Sequence, residues 1–137
     1  MNVKIDTKEK FNVITLFETE IAANMTDELQ NVLQDCLTRS VPHVVLNMGM
    51  VETLSPQAAQ ILADLQQSFY EQNHSFVVSE LQVAVEDMLD EMELLEYMNV
   101  TPTESEAWDI VQMEEIEREL MNDFEEDEPD KSSTSSQ

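Results

Sequence analysis

Apolar residues recur along this chain with two alternating periods, one strand-like and one helical. Val3 to Ile5 and Phe11 to Phe17 read as the two strands of a hairpin that turns through Thr7, Lys8, Glu9 and Lys10. Asn24 is a candidate cap for a helix whose apolar positions are Met25, Leu29, Val32, Leu33, Cys36 and Leu37. Asp27 and Glu28 sit in its first turn, where the helix dipole favours negative charge. His43 to Asn47 follows Pro42 as a short, almost wholly apolar run, the pattern of a strand covered on both faces.

Met48 to Leu54 reads as a connecting loop. Ser55-Pro56 then starts a second helix, with a hydroxyl at the N-cap and a proline at the first helical position. Its apolar face carries Ala58, Ile61, Leu62, Leu65 and Phe69. Phe76 to Val78 is another buried strand, Leu81 to Met92 a third helix, and Asn99 to Pro102 a short edge strand where proline is tolerated. Thr103 can cap a last helix through Trp108, Ile110 and Val111, with the periodicity extending towards Phe124. The order ββαβαβαβα predicts an α/β fold, a mixed sheet of about five strands flanked by about four helices.

Charge divides the chain near Gln112. Of the 137 residues, those at 1–112 hold 20 acids and four bases, while 113–130 hold ten acids and one Arg. We therefore expect one domain at 1–112, an acidic amphipathic helical extension at 113–124, and a disordered acidic and Ser-rich tail at 125–137 that offers nothing to bury. Met113, Ile116, Leu120 and Phe124 form a narrow apolar stripe along the extension. Two readings stay open: the stripe folds back onto the domain, or it is an interface for a partner.

Composition narrows the function. Gly49 is the sole glycine, so neither a phosphate-cradling loop nor a dinucleotide fingerprint can be built. Cys36 is alone, His43 and His74 have no cysteine near them, and no metal-ligand spacing is present. No glycine-flanked elbow exposes a serine for nucleophilic attack. We expect no catalytic residues, no metal and no cofactor. The net charge of −24 opposes contact with nucleic acid and with anionic lipid, and makes a protein with basic character the favoured partner. No secretory signal or spanning run is visible, so a cytoplasmic protein without membrane insertion is expected.

Several segments carry a resemblance. Glu20-Ile21-Ala22-Ala23-Asn24-Met25 before a helix, Pro42 to Met48, and Leu54-Ser55-Pro56-Gln57-Ala58-Ala59 opening an apolar helix together resemble the STAS domain over about residues 2–112. That family contains the bacterial anti-sigma factor antagonists and the cytoplasmic domains of sulfate transporters. The resemblance implies an Asp in the buried strand, and Asn47 stands there. It implies an Asp-Ser-Ser-Gly or Asp-Thr-Ser-Gly motif at the second helix, onto which Ser55, Pro56, Gln57 and Ala58 fall. Pro56 occupies the family's phosphorylated serine and has no hydroxyl. Thr19 stands where a glycine is frequent in the family.

The expected function is thus a non-enzymatic protein–protein interaction module resembling anti-sigma factor antagonists. It docks a protein partner, by resemblance an anti-sigma factor or kinase-like regulator, through Ser55, Pro56, Gln57, Ala58 and Ala59, without phosphorylation at the family position. Ser55 lies one residue away at a helix N-terminus, where a phosphate would also be favoured, so capping and modification are both readings of it. Two alternatives are a structural adaptor subunit of a larger transport or sensory complex, and an acidic mimic that sequesters a basic protein.

Overall fold

The computed structural model describes residues 1–127, with side chains to residue 122. Its main sheet has five strands in the order β1 (Val3–Thr7), β2 (Asn12–Leu16), β4 (Val44–Asn47), β6 (Phe76–Ser79) and β7 (Val100–Thr101). β1 and β2 form the antiparallel hairpin, with Val3 opposite Leu16, and all later pairings are parallel. Parallel neighbours require crossovers, and the helices α1 (Thr26–Asp35), α2 (Pro56–Glu71) and α3 (Val83–Glu91) supply them. The final helix, α4, runs from Glu104 to Asp127. The α/β class, the five-stranded mixed sheet and the four helices are those expected.

The two sheet faces are filled by alternate residues of the same strands. Ile14, Leu16, Val44, Leu46, Phe76 and Val78 point to one side, where they join Leu29, Leu33, Leu62, Leu65, Phe69, Val85 and Leu89 in the larger core. Val13, Val45 and Val77, opposite one another in register, point to the other side and meet Ala107 and Val111 of α4. Phe11 and Trp108 close this smaller core with ring centroids 5.2 Å apart. An apolar β4 follows from burial on both faces.

Local details depart from the expected ones. Asn24 does not cap α1: it lies inside a 3-10 turn, Ala23–Met25, and α1 begins after it with no side-chain cap. Cys36 and Leu37 belong to a second 3-10 turn, Cys36–Thr38, that tightens the helix end. The stretch expected to be loop contains β5 (Thr53–Leu54), which pairs in parallel with β3 (Glu20–Ile21) as a separate two-stranded ribbon. These strands have two residues each, too few for any period to register.

α4 passes Gln112 without a break and reaches three residues into the segment expected to be disordered; residues 128–137 of that segment lie outside the described residues. Beyond Val111 its inward face is polar. Glu114 accepts hydrogen bonds from Ser75 Oγ and Asn99 Nδ2, and Arg118 Nη2 donates to Ser75 Oγ at 2.7 Å. Glu115 lies 3.3 Å from His43 Nε2 and 3.4 Å from Lys10 Nζ. The stripe residues Met113, Ile116 and Leu120 are 58%, 57% and 54% exposed. They face away from the domain.

Candidate docking site at the head of the second helix

α2 starts where the sequence places it. Ser55 is extended, with φ −70° and ψ 153°, and its Oγ accepts from the Ala58 amide at 3.1 Å while Pro56 takes the first helical position. The hydroxyl satisfies one of the unpaired amides of the first turn, and proline removes another. The β3–β5 ribbon fixes this junction to the rest of the fold. Ser55 N donates to Ile21 O at 2.9 Å, and the Thr19 carbonyl accepts from the amides of Glu52 and Thr53 at 2.7 and 3.1 Å.

The five residues expected at the interface separate by orientation. Pro56 and Gln57 are exposed and Ser55 is half-buried. Ala58 and Ala59 are fully buried among the larger core, so neither can touch a partner. The correction follows from helical geometry: one turn after the cap, the apolar face has rotated onto the sheet. Ala58 and Ala59 hold the head of α2 close to the core, and Pro56 and Gln57 are what it presents.

The loops leaving β4 and β6 form a hydrogen-bonded shelf. Asn47 Oδ1 accepts from the Gly49 amide at 2.9 Å, and its Nδ2 donates to Glu104 Oε1 at 3.1 Å. Gln82 Nε2 donates to the Gly49 carbonyl at 2.9 Å, tying the two loops together. A Cβ at Gly49 would lie 3.2 Å from Asn47 Oδ1, which would have to give by a few tenths of an ångström, and at an ordinary contact distance of 3.5 Å from the Glu80 Cβ. Met50 and Val83, flanking the Gln82–Gly49 bond in sequence, are 45% and 74% exposed. Sequence reasoning missed both. Met50 lies in an aperiodic loop and Val83 at a helix start, so neither shows as a surface residue until the loops are placed.

Cys36 is buried, and burial pushes its thiol above the ordinary value, which makes it less reactive. His43 is 8% exposed and receives the Ser75 amide on Nδ1 at 3.0 Å, so its other nitrogen, Nε2, carries the proton towards Glu115. Burial first, and the neighbouring Arg118 cation second, hold its pKa below the usual histidine value. Among the described residues no three His, Cys, Asp or Glu side chains converge as a metal-binding group. No described helix is long and apolar enough to cross a membrane.

The fold is that of a known class. The family model of the STAS domain matches residues 2–107, and the chain belongs to that family. Among solved structures, it is similar to an anti-sigma factor antagonist from Mycobacterium paratuberculosis, with a TM-score of 0.69 at 20% identity, covering 81% of this chain and 93% of that one. An anti-sigma-factor antagonist (STAS) domain protein from Planctomyces limnophilus aligns with a TM-score of 0.64 at 14% identity, over 77% of this chain and 93% of that one. A murine solute carrier 26 family anion transporter, in its inward-facing state, contains a similar unit: TM-score 0.63, 14% identity, 76% of this chain and 18% of the transporter. No curated protein matches the chain by sequence.

Proposed function

We propose that this chain is a non-enzymatic, cytoplasmic interaction module that docks a regulatory protein of the anti-sigma factor or kinase-like class. The head of α2 is the contact, with Pro56 and Gln57 at its centre and Ser55 behind them as cap, and the exposed Met50, in the loop after β4, and Val83, at the start of α3, add apolar surface to it. The observation that carries this reading is a capped, hydrogen-bonded helix start whose first two residues, Pro56 and Gln57, are exposed while the next two, Ala58 and Ala59, are buried in the core. Such a surface needs little ordering on binding, which lowers the entropic cost of association. Similarity to anti-sigma factor antagonists supports the class of partner.

The same site works here without phosphorylation. Pro56 supplies no hydroxyl at the family position, and the Ser55 hydroxyl already accepts the Ala58 amide. Occupancy of the partner is then set by the amounts of the two proteins.

The test is affinity capture from the source cells with the full chain as bait, using wild type, Gln57→Arg and Met50→Asp. A partner retained by wild type and lost with both variants supports the reading, provided thermal unfolding is unchanged. A partner retained equally by all three overturns it. A second reading, an adaptor within a larger assembly, draws on the similarity to the transporter's unit; a stable high-mass complex that survives both substitutions would favour it.

A further inference from the structure

Past Val111, α4 is amphipathic in the reverse sense for a helix packed on a domain. Its inward side there is Glu114, Glu115 and Arg118, all engaged with side chains of the domain, and its outward side is Met113, Ile116 and Leu120. Met121 lies at the border of that side and is 60% exposed. At 100° per residue, Glu106, Asp109 and Glu117 fall on the same outward side, and all three are exposed. The one base of the helix, Arg118, is turned inward against Ser75 and Glu114. Among the described residues, the result is an exposed apolar row whose charged neighbours on that side are all carboxylates.

We propose that this outward face of α4 is a second docking surface, separate from the head of α2, for an amphipathic protein segment whose apolar row is flanked by Lys or Arg. Charge selects that occupant. A second copy of this chain would set carboxylate against carboxylate across the contact and bring together two chains of net charge −24. Anionic lipid is opposed by the same sign. A basic-flanked segment covers the apolar row and pairs with Asp109 and Glu117 at its margins. The face is already helical and held by the polar bonds beneath it, so binding requires no folding of α4.

The probe is a synthetic amphipathic peptide of about four helical turns, with Leu at i, i+3 and i+7 and Lys on both flanks, and the control carries Glu in place of Lys. Fluorescence anisotropy with the full chain should show binding of the Lys peptide and none of the Glu peptide. Ile116→Asp combined with Leu120→Asp should weaken it at least about tenfold, as should Asp109→Lys combined with Glu117→Lys. Gln57→Arg should leave it unchanged, which separates this surface from the one on α2. All variants should retain the wild-type unfolding temperature; if the double Asp variant does not, Ile116→Ser alone replaces it. The proposal is overturned if the Lys peptide fails to bind, if it binds the folded stripe variant as tightly as wild type (charge attraction alone), or if the Glu peptide binds equally. It is also overturned if sedimentation shows a wild-type dimer that Ile116→Ser abolishes.

Discussion

The carboxylate of Glu80 accepts the first backbone amide of α4, that of Glu104, at 2.8 Å, although the two residues are 24 positions apart. Glu80 achieves this from the left-handed region, with φ 63°, in the turn between β6 and α3. A non-glycine residue there is strained by about 1 kcal/mol. The strain is held because the bond satisfies an amide that no helix can satisfy internally, and places negative charge at the positive end of the dipole. Thr103 Oγ1 accepts from the Glu106 amide at 3.2 Å in the same turn. α4 is therefore capped from two directions.

Replacing Glu80 separates these effects. Glu80→Ala should destabilise the fold by about 1–2 kcal/mol through loss of the cap with the strain retained. Glu80→Gly loses the same bond but relieves the left-handed backbone, so it should cost about 1 kcal/mol less. Urea denaturation of the two variants checks the order; equal losses would show that the turn is unstrained.

Leu62 and Leu29 are both fully buried in the larger core. Truncating either to Ala should cost about 2–5 kcal/mol, the transfer of the lost atoms plus the cavity left behind. Ile116→Ala, on the exposed face of α4, should stay within about 0.5 kcal/mol of wild type. Chemical denaturation distinguishes these, and a loss below about 1 kcal/mol at Leu62 would contradict its placement.

His43 gives a pH dependence of fixed sign. Its folded pKa is depressed, chiefly by burial and then by Arg118 and His74, against the opposing pull of Glu115. The unfolded state takes up a proton first as pH falls, so the contribution of His43 is complete above the unfolded value of about 6.5 and is lost as pH drops towards the folded one. Protonating Nδ1 would also break the bond it accepts from Ser75. The chain as a whole runs the other way, because acid relieves repulsion among its 30 carboxylates. The measurable quantity is accordingly the difference between wild type and His43→Gln, whose unfolding-temperature gap should narrow as pH falls from about 7.5 to about 5.5. A gap that widens would mean a charged His43 paired with Glu115.

No phosphate is expected on Ser55 or Thr53 in the protein taken from its own cells. Pro56 removes the family hydroxyl, and Ser55 is committed to capping α2. Intact-mass spectrometry decides it, and a stoichiometric addition of one phosphate at either residue would restore a switch at this site.

The elements legible in the sequence are those governed by one dominant local cause. Ser55-Pro56 fixed the start of α2 because cap and proline act within a single turn. β4 and β6 were readable because burial on both faces demands an unbroken apolar run. The β3–β5 ribbon was not, because its two-residue strands are held by long-range pairing that leaves no period behind. Asn24 misled for a related reason: a good capping side chain was overridden by the tertiary approach of the chain through a 3-10 turn. At the candidate site, the head of α2 was visible and the helical period already turned Ala58 onto the apolar face, but the shelf depends on the bonds of Gln82 to Gly49 and of Asn47 to Glu104, whose partners lie 33 and 57 residues apart.

The division of the interior into two cores by the sheet has an optical consequence. Trp108 is the sole tryptophan, and it belongs to the smaller core, against Phe11 and beneath Lys8 Nζ at 5.7 Å from its ring. The larger core contains none; its aromatic pair is Phe69 and Phe76, with centroids 5.1 Å apart. Indole emission from the native protein therefore watches the α4 side and is blind to the packing of α1, α2 and α3 on the opposite face. Were the last helix to lift away before the rest melts, fluorescence would register that event while far-ultraviolet circular dichroism would lag behind, and the two curves would cease to coincide.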